Sequence, residues 1–124
     1  MVLNDLMAWI EELKSSNEIK IVEGKNDKKA LESLEIKNVI TLNKPLFQIV
    51  ENISKKSKKC ILLVDLDKEG KILYSKLKKD LQRNGVKTND AYRNFLYRKT
   101  NLKNIEGIST YVNKINETTR PFYL

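Results

Sequence analysis

The sequence predicts an α/β domain of three layers, helices covering both faces of a mostly parallel sheet of four strands. Short β-branched or apolar runs, "EIKIVEG" (18–24), "NVITLN" (38–43), "CILLVD" (60–65) and "VKTND" (86–90), alternate with segments of helical period. The third run is apolar throughout, as expected of a strand covered on both faces. Strands separated by helices join as right-handed βαβ units, which makes the sheet mostly parallel.

Each element has its own signal. Residues 3–14 set Leu3, Leu6, Met7, Ile10 and Leu13 on one helix face, and Trp9 widens it, so this helix packs on the sheet or meets a partner. Gly24 ends the first strand, and "NDKKALESL" (26–34) starts a helix with Asn26 or Asp27 as its cap. Pro45 suits the first turn of a helix showing Leu46, Ile49, Val50 and Ile53 at i, i+3, i+4 and i+7. A long helix over about 69–83 turns Leu73, Leu77 and Leu81 inward and stops at "NG" (84–85). "AYRNFLYRKT" and "IEGISTYVNKI" read as two more helices, the second through Ile105, Ile108, Val112 and Ile115. One domain is expected, with a core over 18–90, to which helix 3–14 and the helices of 91–116 are additions. No repeat, linker or low-complexity segment interrupts it.

Composition excludes several chemistries. The 124 residues contain one cysteine and no histidine, so zinc sites of Cys and His, intrachain disulfides and His-based triads are all ruled out. What remains is carboxylates, lysines, hydroxyls or a hard metal ion. The net charge of +8 suits a polyanion such as nucleic acid, or it reflects a Lys/Ile/Asn-rich background. Only four of the 24 basic residues are arginine, the usual reader of base edges, which favours backbone contact. No apolar run approaches the ~20 residues of a membrane span, and the N-terminus lacks the pattern of a signal peptide. A soluble cytoplasmic protein is the expectation.

The acids gather where such a fold binds ligands. In open parallel sheets that place lies beyond the carboxyl ends of the strands, where strand order reverses. Strand one ends in Glu23, and strand three ends in Asp65 with Asp67 just beyond. If the two strands are neighbours they lie ~4.8 Å apart, and charges ~5 Å apart at an effective dielectric of 20 repel by roughly 3 kcal/mol. Such a cluster must bind a proton, borrow a lysine or hold a cation. A hard divalent ion, Mg2+ or Mn2+, answers best, leaving positions open for a substrate phosphate. Glu69 is either a third ligand or an acid favoured in the first turn of its helix.

The pair "VEGKND" (22–27) and "LVDLDKEG" (63–70) resembles the Toprim domain, shared by bacterial-type primases, type IA and type II topoisomerases, OLD-family nucleases, RecR-type repair proteins and small ribosomal-RNA maturases. The resemblance covers about residues 18–90 and implies a Rossmann-like Toprim fold. It implies further that Glu23 is the acid/base glutamate, that Asp65 and Asp67 bind the metal, and that Glu69 is the third acid of a D-x-D-x-E motif. Lys25 either neutralises phosphate charge or is an exposed loop lysine, and Asp27 reads as a helix cap. Many family members have glycine in the loop after the second strand, where this chain has Asn43.

The resulting expectation is a magnesium- or manganese-dependent nuclease, with RNA ahead of DNA as substrate. Lys55, Lys56, Lys58, Lys59, Lys71, Lys78 and Lys79 would track the nucleic-acid backbone, or they form the solvated faces of two helices. The alternative is a non-catalytic RNA- or ribonucleoprotein-binding module. A phosphatase of small substrates ranks third.

Overall fold

Helical and extended segments alternate from Leu3 to Lys99, and one more helix follows, in the computed structural model, which describes residues 3–65 and 67–119, with backbone alone at 3, 4, 68 and 115–119. The parts expected of the Leu3 and Ile115 side chains lie outside the described residues. In chain order the elements are α1 (Leu3–Ser15), β1 (Ile19–Val22), α2 (Lys25–Ser33), β2 (Val39–Thr41), α3 (Leu46–Lys56) and β3 (Lys59–Leu62). They continue with α4 (Lys68–Arg83), β4 (Lys87–Asn89), α5 (Ala91–Lys99) and α6 (Ile108–Thr119). Among the described residues no helix is long and apolar enough to cross a membrane.

The four strands form one sheet in the order β2-β1-β3-β4, and every pairing is parallel. From β1 the chain steps to one side to reach β2; from β3 it steps to the other side to reach β4. Strand order therefore reverses between β1 and β3. Alternate residues of these central strands feed two separate cores, because successive side chains of a strand point to opposite faces. Val22, Ile61 and Leu63 pack with Leu6, Leu13 and Leu31 beneath α1, α2, α5 and α6. Ile21, Leu62 and Val64 pack with Ile53, Leu77 and Leu81 beneath α3 and α4. The three-layer α/β/α prediction is thus met.

Trp9 proves to be a packing residue. It is buried, and its indole N–H donates to the Tyr92 carbonyl at 2.9 Å, tying α1 to α5. The ends of elements differ more from expectation. Gly24, not Asn26 or Asp27, is the N-cap of α2, and Asp27 reaches back from the third helical position to accept the Gly24 N–H at 3.1 Å. Pro45 stands as the N-cap of α3 rather than inside its first turn. The last helix begins at Ile108, because Asn104 Oδ1 accepts the Gly107 N–H at 3.0 Å and bends the chain into a turn first. The "NG" stop holds: Asn84 caps α4 and Gly85 takes φ 77°, a left-handed conformation that glycine enters without a Cβ penalty.

One polar residue of β1 lies inside. Lys20 is fully buried, and its ammonium donates to the carbonyls of Ser16, Glu18 and Lys37 at 2.8, 3.0 and 2.9 Å. It laces the segment before β1 to the segment before β2, at the end of the sheet away from Glu23. Burial pulls its pKa below the ordinary lysine value. Lys20→Met keeps most of the volume but strips three carbonyls of their donor; it should lower stability by about 1–3 kcal/mol in urea unfolding, and an unchanged midpoint would show the lacing to be idle.

Candidate functional site

The switch point between β1 and β3 brings Glu23 and Asp65 together. Ile21 pairs with Leu62, and the Leu63 N–H extends the ladder to the Ile21 carbonyl at 2.8 Å. Parallel pairing thus ends both strands at the same height. From there the Glu23 carboxylate crosses to β3, where its Oε1 accepts the Asp65 N–H at 3.2 Å. Glu23 holds its neighbour on the other side too, since its carbonyl accepts the Leu42 N–H at 3.2 Å.

Asp65 is held on several sides. Its Oδ1 accepts the Ile105 N–H at 3.1 Å, so the segment before α6 closes over it. Its carbonyl accepts from Arg93 Nη2 at 3.1 Å, while Arg93 Nε donates to the Val64 carbonyl at 2.9 Å. Arg93 is itself buried. Its guanidinium lies 4.2 Å from the Tyr74 ring centre and 5.8 Å from that of Tyr97. A planar, permanently charged fork suits this double contact with two successive carbonyls. Tyr74 in turn donates to Asp90, which also accepts from Lys78 at 2.9 Å.

Asp67 sits at the start of α4, where its Oδ1 accepts the Gly70 N–H at 2.8 Å as an N-cap. Glu69 lies exposed in the same first turn. Gly70 allows α4 to come this close. A Cβ placed there would lie 2.2 Å from the Asp65 carbonyl oxygen and 2.9 Å from Glu23 Oε1. Only hydrogen fits between the helix and the two acids.

The charges acting most strongly on these acids are all negative. Burial raises the Glu23 pKa, the Asp65 N–H opposes it, and Asp67, Asp27 and Glu69 raise it further. Burial likewise pushes Asp65 up to about 7; the Ile105 N–H opposes the shift, and Asp27, Glu23 and Asp67 add to it. Among the described residues no three carboxylates already converge into a cation cage. The donor set nevertheless fits a hard divalent ion: all oxygen, all anionic, and destabilised in the charged form by mutual repulsion.

The lysines divide. Lys25, first in α2, and Lys71, in the first turns of α4, stand exposed at the carboxyl edge with the acids. Lys55 and Lys56 end α3, while Lys58 and Lys59 lead into β3, roughly 20 Å of extended chain from Asp65. Lys55 pairs with Glu51 at 3.1 Å and Lys78 with Asp90 at 2.9 Å, whereas Lys79 is exposed on α4. Lys25 and Lys71 thus stand near the acids, while Lys58 and Lys59 stand at the amino end of β3. Sequence reasoning missed Arg93, the spacing role of Gly70 and the Ile105 N–H.

Comparison with known proteins follows the same outline. A family model of the Toprim domain matches residues 18–99. A UPF0292 protein of Methanocaldococcus jannaschii is 35% identical over 116 residues, covering 88% of this chain and 91% of its own. A UPF0292 protein of Methanosarcina barkeri is 31% identical over 121 residues, covering 94% of this chain and 85% of its own. A solved structure described as a putative protein from Aquifex aeolicus superposes with a TM-score of 0.77 at 42% identity, spanning 82% of this chain and 95% of that one.

Two measurements test the site. A carboxyl with a raised folded-state pKa stabilises the fold while protonated and loses that contribution as pH rises through the folded value. For Asp65 the contribution is full below its ordinary 3.8 and gone above about 7. Asp65→Asn cannot ionise and keeps an oxygen for Ile105. With chelator present, its thermal midpoint should therefore exceed the wild type at pH 8 and match it near pH 4; equal midpoints at both would remove the repulsion from the account. Gly→Ala inside a helix ordinarily gains up to ~1 kcal/mol. Gly70→Ala should instead lose about 1–3 kcal/mol in urea unfolding, and a gain would show that α4 does not press on the site.

Proposed function

The chain belongs to the Toprim-domain family, which makes its chemistry metal- and nucleic-acid-related, and on that premise we propose that it is a divalent-ion-dependent phosphodiesterase cleaving nucleic acid, RNA in preference to DNA. The observation that carries the reading is the Glu23 carboxylate lying against the Asp65 main chain in a field of other carboxylates. Asp65 and Asp67, with Glu69 within the same turn of chain, would hold magnesium or manganese. The ion would supply Lewis-acid stabilisation of negative charge on a bound phosphate.

The chain's own groups do the rest. Glu23, whose pKa is raised by burial and by its acidic neighbours, moves a proton between an attacking water and the departing oxygen, work that favours a carboxyl poised nearer neutral pH. The Ile105 N–H orients one Asp65 oxygen, and the Arg93 fork fixes the main chain beneath it. Lys25 and Lys71 supply positive charge where the substrate backbone would arrive. A net charge of +8 raises the local concentration of a polyanion.

Incubation of labelled RNA and DNA with magnesium or manganese should give cleavage that chelator stops. Glu23→Gln and Asp65→Asn should each slow it by about 100-fold or more. Absence of cleavage with either ion, or cleavage indifferent to both substitutions, would refute the enzyme. One observation favours a second reading, a non-catalytic RNA or ribonucleoprotein-binding module: Asp65 and Asp67 each already accept a main-chain N–H of their own fold. Salt-sensitive RNA binding without turnover, unchanged in both variants, would select it.

A further inference from the structure

Along the free outer edge of β2 lies an open cavity of about 270 Å³, lined by α2, β2, α3 and Ile19 at the start of β1. Its charged lining is entirely basic: Lys28 from α2, Lys44 from the loop after β2 and Lys56 from the end of α3. Among the described residues none of these three is in an ion pair, although Lys55, next to Lys56, is paired with Glu51 and Lys78 with Asp90. Unlike those neighbours, the cavity lysines have their charge left for something else.

The rest of the lining is equally unspent. Thr41, Asn43 and Asn52 present a hydroxyl and two amides whose side chains have no hydrogen-bond partner among the described residues. Ile40 and Ile49 give the cavity an apolar wall. From Ile49 to Lys56, α3 advances about 10 Å. Cationic groups, amide donors and acceptors and an aliphatic surface, in a space of this size, match a nucleotide: a phosphate for the ammonium groups, a sugar and base for the amides and isoleucines. Strand addition to the β2 edge fits less well, since β2 offers only Val39–Thr41 and so too short a ladder to hold a peptide.

One end of the cavity approaches the acids, while Ile19 and Lys56 line the other, toward the amino ends of the strands. Thr41 pairs in register with Val22, the residue before Glu23, one strand spacing of ~4.8 Å away. We propose that this cavity is a nucleotide-binding subsite, receiving a nucleotide of the strand whose neighbouring phosphate lies at the Glu23–Asp65 crevice. The link to the crevice rests on the nucleic-acid reading above; binding of a nucleotide in the cavity does not.

The test is an NMR titration of the full ¹⁵N-labelled chain in chelator, which takes the divalent ion out of play. Adenosine monophosphate, adenosine and inorganic phosphate are the probes. The monophosphate should shift the amides of 40–44 and 49–56 at millimolar concentration, with each fragment binding more weakly. The double variant Lys28→Ala, Lys44→Ala should raise the Kd by about tenfold, and Lys76→Ala, on α4 outside the cavity lining, should leave it unchanged. A short RNA added to the Asp65→Asn protein should shift the same amides at lower concentration, identifying a strand rather than a free nucleotide as the occupant. No shifts, shifts elsewhere, indifference to the double variant, or response to an acidic peptide and not to the nucleotide would each overturn the subsite. Cleavage without nucleotide binding would sink this proposal alone, and nucleotide binding without cleavage would sink only the enzyme.

Discussion

At the carboxyl end of the central strand pair the Glu23 carboxylate accepts the Asp65 N–H at 3.2 Å, across a gap set by the parallel pairing of β1 with β3. That contact exists because the chain leaves β1 toward one side of the sheet and β3 toward the other, so that no connection crosses the crevice between them. Both strands end at the same height, and each is followed by an acid, Glu23 directly after β1 and Asp65 three residues beyond β3. Were β1 and β3 separated by another strand, the two carboxylates would sit about 10 Å apart at twice the strand spacing, and neither would feel the other strongly.

Holding acids together is costly, and much of the surrounding structure works against that cost. The Arg93 fork braces two successive carbonyls under Asp65, the Ile105 N–H takes one of its carboxylate oxygens, and Gly70 lets α4 approach without displacing either acid. Each device acts through main-chain atoms. None of them neutralises the carboxylates by direct pairing, which leaves Asp65 raised to about 7. Fixed geometry joined to unrelieved charge is the condition under which a cation gains most from binding.

The extent to which this was legible follows from what each residue's signal depends on. Strand and helix periods are local, so the alternation that makes the sheet parallel could be read directly, and the acids at 23, 65 and 67 stood out as charges ending apolar runs. Arg93 could not be found that way. Its partners are backbone carbonyls, which carry no side-chain signature, and in sequence it is one basic residue in a basic helix. Lys20 carried no sign of its burial, because nothing local says that three carbonyls converge on it. Gly70 was visible beside the acids, but the reason for glycine lies in a contact across the fold. Where each lysine stands relative to the acids could not be read either, because a run in sequence is divided between the ends of α3, β3 and α4.

The central claim is that residues 23, 65 and 67 serve one divalent ion, and manganese allows it to be seen without reference to any activity. Crystals soaked in manganese, recorded near the metal's absorption edge, should show an anomalous peak in contact with Asp65 and Asp67 and on the Glu23 side of the crevice. A peak bound elsewhere, or none under conditions that saturate the protein in solution, would contradict the account.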